Sequence, residues 1–78
     1  MKQLNYTTSE INRNFKIKVF GYVNGKKVNM LVGVSGLLRM LDGAIDLANR
    51  LLERAFRSTD DKCVCKLRRG LQISFYAF

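Results

Sequence analysis

The sequence predicts an α+β domain of ββαββ layout, with two β-hairpins forming one sheet packed on a single long helix. Three observations carry this. Apolar residues alternate with a period of two over Phe15–Val23, and they recur with helical period from Leu37 to Phe56. An Asn24-Gly25 pair also sits between two alternating runs, the strongest short-range hairpin signal.

Residues 1–13 read as an N-terminal arm, in which Thr8 caps a single helical turn ahead of Ser9, Glu10 and Ile11. The first hairpin spans 14–34. Phe15, Ile17, Val19 and Val23 point one way; Lys16, Lys18, Phe20 and Tyr22 point the other. A two-residue type I′ loop sets Val23 opposite Lys26 and then pairs Val19 with Met30, Ile17 with Val32 and Phe15 with Val34. Turn and apolar pattern thus agree on one register.

Ser35 is placed to cap the helix, expected over 36–57. Its stripe of Leu37, Leu38, Leu41, Ala44, Ile45, Ala48, Leu51, Leu52, Ala55 and Phe56 is amphipathic, and at 1.5 Å per residue the helix is roughly 30 Å long, enough to cross a small sheet. Gly43 falls inside it, at a cost of about 1 kcal/mol against Ala. Leu41, Ile45, Leu52 and Phe56 are expected to meet the sheet. Met40 and Leu47 widen the stripe and mark either its edge or a dimer seam.

The second hairpin spans 62–78. A two-residue loop would mix its faces, whereas the three-residue loop Arg68-Arg69-Gly70 sets Leu67 opposite Leu71, Cys65 opposite Ile73 and Cys63 opposite Phe75, with Gly70 at the left-handed position. The inner face then collects Phe15, Ile17, Val19, Met30, Val32, Val34, Cys63, Cys65, Leu67, Leu71, Ile73 and Phe75. Strand order does not follow from pattern, and a right-handed crossover is expected only if the second and third strands are parallel.

Seventy-eight residues make one domain, with net charge +8. The strand segments hold Lys16, Lys18, Lys26, Lys27, Lys62, Lys66, Arg68 and Arg69 and no acid, while Arg39, Arg50, Arg54 and Arg57 of the helix are nearly balanced by Asp42, Asp46 and Glu53. That asymmetry is the electrostatic footprint of a polyanion binder, although positive charge also serves solubility alone. The N-terminus is polar and no apolar run reaches the roughly 18 residues a membrane span needs, so a cytoplasmic protein without a membrane partner is expected.

With no histidine in the chain, the commonest general base and the Ser-His and Cys-His pairs are missing, and the glycines fit no phosphate-binding loop. No enzymatic activity, cofactor, metal or small-molecule substrate is expected. Cys63 and Cys65 lie two apart on one strand face, too few for a zinc site and badly placed for a bridge, and read as reduced core thiols. Asp42, Asp46, Asn49 and Glu53 line one helix flank, where Asp46 with Arg50 and Glu53 with Arg57 make i,i+4 pairs on a solvated face.

The outer sheet face is the candidate site. Lys16, Lys18, Phe20, Tyr22, Lys27, Lys62, Lys66 and Tyr76, with Arg68 and Arg69 of the loop, interleave cations with rings. Cations track phosphates and rings stack on bases, which suits single-stranded nucleic acid. Phe20, Tyr22, Leu31, Val64 and Tyr76 of the same face equally suit a protein contact, either the arm or a second copy in a homodimer. The function expected is a small nucleic-acid-binding accessory protein; the alternative is a protein-interaction or homodimerisation module without catalysis.

Asn12-Arg13-Asn14-Phe15, the run from Phe20 through Asn29, and Cys63-Val64-Cys65-Lys66-Leu67-Arg68-Arg69-Gly70 together give a pattern similar to small uncharacterised basic proteins of gut-type Bacteroidetes, some from mobile elements. The resemblance implies a cytosolic accessory protein and transfers no functional residue.

Overall fold

The computed structural model describes residues 3–67 and 70–78. Its elements run α1 (Thr8–Asn14), β1 (Phe15–Val23), β2 (Lys26–Val32), α2 (Val34–Met40), α3 (Ile45–Arg57), β3 (Lys62–Lys66) and β4 (Gln72–Ala77). The strands form one antiparallel sheet in the order β2-β1-β4-β3. The fold is α+β with both expected hairpins, but among the described residues the helical layer has three pieces instead of one.

The first hairpin turns at Asn24 and Gly25, both with positive φ (52° and 78°), as a type I′ turn requires. Its ladder pairs Val23 with Lys26, Val19 with Met30 and Ile17 with Val32, and there it ends. The expected Phe15–Val34 pair does not form. Gly33 caps a helix that begins at Val34, so Ser35 lies within that helix and is not its cap. The second hairpin keeps the expected register, with Cys63 opposite Phe75 and Cys65 opposite Ile73. Leu67 donates its N–H to Leu71 O at 2.7 Å, and Gly70 has φ 76°. Arg68 and Arg69, the other two loop residues, lie outside the described residues.

The long helix expected over 36–57 is broken at Leu41–Ala44. Asp42 (φ 54°) and Gly43 (φ 73°) are left-handed. Gly43 N–H bonds Leu38 O at 2.8 Å and Asp42 N–H bonds Arg39 O at 3.1 Å, the nested pair that defines a Schellman ending. Asp42, left-handed at the position after the C-cap Leu41, therefore terminates α2, and Gly43 follows it outside the helix and is not a tolerated glycine inside one. The break shifts the rotational phase of α3. Its Ala48, Leu51, Leu52 and Ala55 are buried together with Leu37 and Leu41, whereas Ile45, expected in the core, lies half-exposed at the first turn of α3. Met30 is on the inner face but 43% exposed, because β2 is an edge strand that the helices cover incompletely.

The arm is more ordered than a single capped turn. Thr7, not Thr8, caps α1, in a capping box with Glu10: the Thr7 hydroxyl accepts Glu10 N–H at 3.1 Å, and Glu10 Oε1 accepts Thr7 N–H at 3.0 Å. These bonds to Thr7 lower the Glu10 pKa below the usual carboxylate value. Ile11 enters the core, and Tyr6 stacks on Phe56 at 4.1 Å between centroids.

The connection from β2 to β3 spans the inner face from one sheet edge to the other. Those strands are antiparallel, so the crossover rule does not apply. The molecule measures 32 × 32 × 17 Å, and its thin dimension has room for one helical layer on one side of the sheet. No helix among the described residues is long and apolar enough to cross a membrane.

Candidate nucleic-acid interface

Two hairpins with fixed registers, joined through the β1–β4 ladder, arrange the outer sheet face as a grid. One row is Lys16, Tyr76 and Lys62; the next is Leu31, Lys18, Ser74 and Val64; the third is Asn29, Phe20, Gln72 and Lys66; the last is Lys27 beside Tyr22. Eight of the ten residues singled out from sequence thus share one surface: Lys16, Lys18, Phe20, Tyr22, Lys27, Lys62, Lys66 and Tyr76. Arg68 and Arg69 lie outside the described residues. None of the outward-facing strand positions carries an acid.

Cations and rings are interleaved at contact range. Lys62 Nζ lies 5.3 Å from the Tyr76 centroid, Lys16 Nζ 5.9 Å from Phe78, and Lys27 Nζ 6.0 Å from Phe20. Exposed cation–π pairs of this kind contribute about 0.5–1 kcal/mol, less than the roughly 1–3 kcal/mol of a base stacked on an aromatic ring. A base can therefore displace a lysine from a ring, leaving the ammonium for a phosphate. Phe20 and Tyr22 are 40% and 56% exposed, so their ring faces are accessible. A shallow depression of about 200 Å³ lies between Lys18, Phe20, Lys62, Gln72, Ser74 and Tyr76. Ser74 is buried at its floor because Lys18 and Val64 flank it in the ladder.

Phe78, at the end of the outer-face alternation of β4, is 74% exposed beneath Lys16. Its parity with Gln72, Ser74 and Tyr76 is the sequence signal that places it there. Leu31, expected on this face as part of a protein contact, is 63% exposed next to Lys18.

The arm does not cover this face. Asn5 N–H donates to Asn49 Oδ1 at 2.8 Å, Asn49 Nδ2 donates to Gln3 O at 3.0 Å, and the Tyr6 hydroxyl donates to Glu53 Oε2 at 2.6 Å. The arm is thereby fastened to α3 on the helical side. The hydrogen bond to the Glu53 carboxylate raises the Tyr6 pKa. The flank read as a row of solvated oxygens is in part this docking strip. Asp42 leaves the row for the turn, and Glu53 also pairs with Arg57 at 2.9 Å, as its spacing predicts. Among the described residues no group of three His, Cys, Asp or Glu side chains is positioned to hold a metal ion.

Both cysteines are free thiols, Cys65 buried and Cys63 half-buried. Burial first, and then the neighbouring Cys63, pushes the Cys65 thiol up to about 11. Such a thiol is protonated and poorly nucleophilic at neutral pH. Met40 and Leu47 both line an open groove at the turn end of the molecule, between α2, α3 and the second hairpin. No family model, curated protein or solved structure matches this chain.

Proposed function

We propose that the protein is a small binder of single-stranded nucleic acid, an accessory protein of the cytoplasm without catalysis, that uses the outer sheet face as its platform. The observation that carries this is a sheet face presenting Lys16, Lys18, Lys27, Lys62 and Lys66 among Phe20, Tyr22 and Tyr76, with no acid between them and no described element over them. The lysines follow the phosphates, the rings accept bases, and sequence preference is weak because every base has a stacking face.

Fluorescence anisotropy with random single-stranded and duplex oligonucleotides over a salt series tests the reading. Lys16→Ala, Lys18→Ala or Lys66→Ala weakens binding across sequences, and each lost phosphate contact flattens the log–log salt slope by about 0.7 on a single strand. Tyr22→Ala or Tyr76→Ala costs about 1–3 kcal/mol per lost stack while leaving the slope nearly unchanged. Absence of binding at low salt overturns the proposal. Weak binding at low salt alone does not support it, since any protein this basic adheres to polyanions.

The exposure of Phe20, Tyr22, Leu31 and Phe78 favours a second reading, a protein-interaction module. It predicts that the aromatic substitutions leave oligonucleotide binding untouched and abolish association with a protein partner.

A further inference from the structure

We propose that β2 is a dimerisation edge, along which two copies of this chain pair antiparallel through Lys26–Val32, centred on Asn29, into one continuous eight-stranded sheet. The order β2-β1-β4-β3 leaves two edges. They are built differently. β3 is only five residues long and has a lysine at each end, which discourages edge pairing, whereas both lysines of β2 sit together at its turn end. β2 is seven residues long and carries Met30 on the inner face and Leu31 on the outer face, 43% and 63% exposed. It is the edge with an uncovered apolar side chain on both faces.

Backbone parity defines what β2 offers. Val23 and Lys26 flank the two-residue turn and form a hydrogen-bonded pair, so by alternation Lys26, Val28, Met30 and Val32 direct their peptide groups to β1. Lys27, Asn29 and Leu31 then direct their N–H and C=O groups away from the sheet. A two-fold pairing must place one residue opposite itself. Asn29 is the midpoint of β2, and it is the centre that lets all seven residues pair.

In that register Lys27 faces the partner's Leu31, Val28 faces the partner's Met30, and Lys26 faces the partner's Val32. No lysine meets a lysine, which like-charge repulsion would penalise. Met30 gains an apolar neighbour on the inner face, and Leu31 lies along the methylene stem of a lysine on the outer face. A two-fold axis perpendicular to the sheet keeps both helical layers on one side, so the two outer faces become one surface. The inference does not depend on nucleic-acid binding, and neither does its test.

Register-specific cross-linking decides it. A hydrogen-bonded antiparallel pair sets Cα atoms about 5.5 Å apart, inside the roughly 4.4–6.8 Å window of a disulfide. Under mild oxidation Asn29→Cys forms a covalent dimer. Lys27→Cys and Leu31→Cys do not link alone but do link when mixed, and the parent chain serves as the control for Cys63 and Cys65. In sedimentation equilibrium the parent runs at twice the chain mass, and Leu31→Lys, which sets lysine against lysine, runs at the chain mass with an unchanged circular dichroism spectrum. A monomeric parent overturns the proposal. So does an Asn29→Cys variant that cross-links no better than Lys27→Cys, or a Leu31→Lys variant that folds and stays dimeric. If Leu31→Lys does not fold, the cross-linking pattern decides alone.

Discussion

Gly21, on the first hairpin, lies against the backbone of Gly70 and Leu71 in the second. It has φ 129°, and a β-carbon there would lie 2.0 Å from the Gly70 carbonyl oxygen. That oxygen belongs to backbone, so it cannot swing aside. Gly21→Ala is expected to lose at least the roughly 1–3 kcal/mol of a strained dihedral, with the clash added, and a urea titration should show it as a lower midpoint at unchanged slope. Nothing in the sequence marks Gly21, because alternation continues through it; its neighbour across the gap is set only by the β1–β4 pairing. Cys65, by contrast, was legible: strand parity and the loop length of the second hairpin put it opposite Ile73 on the inner face, where it lies. Its raised pKa makes stability pH-dependent. The folded state holds the thiol proton more tightly than the unfolded chain, so this contribution is complete below about pH 8.5 and is lost as pH rises through about 11. Cys65→Ala should destabilise by about 1 kcal/mol at neutral pH and remove that part of the alkaline decline, read by urea denaturation at a series of pH values.

At the level of elements, both hairpins were legible because two independent signals agreed for each. Asn24-Gly25 demands one register and the apolar alternation demands the same one; Gly70 and the Cys63–Phe75 pairing do likewise. The helical layer was less legible. Apolar residues recur at helical period straight through Leu41, Ala44 and Ala48, so periodicity sees no interruption where the backbone makes one. The missing information lies in the local chemistry of Asp42-Gly43, a turn dipeptide, which apolar periodicity does not register. The difference has a measurable sign. Inside a continuous helix Gly43→Ala would stabilise by about 1 kcal/mol. At φ 73° it should destabilise by more than the roughly 0.4–1 kcal/mol gained at a compatible site, and chemical denaturation distinguishes the two directions.

For the whole molecule, the outer face was readable before strand order was. Strand parity decides which residues face away from the core, and parity survives any permutation of strands in a one-layer sheet. That is why eight singled-out side chains share a surface, although Lys16 and Lys62 reach the same row only through β4. The arm was not readable, because its partners Asn49 and Glu53 are far away in sequence and look like ordinary surface polarity. The central pairing of β1 with β4 also sets a timetable. From Phe15–Ala77 to Phe20–Gln72, it joins segments separated by every other strand and by both α2 and α3. During synthesis the first hairpin emerges early but can find its inner neighbour only after Gln72–Ala77 have left the ribosome. Until then β1 has a bare edge, so the nascent chain depends on late closure of a nonlocal sheet and, in that interval, is open to capture by chaperones or by strands of other chains.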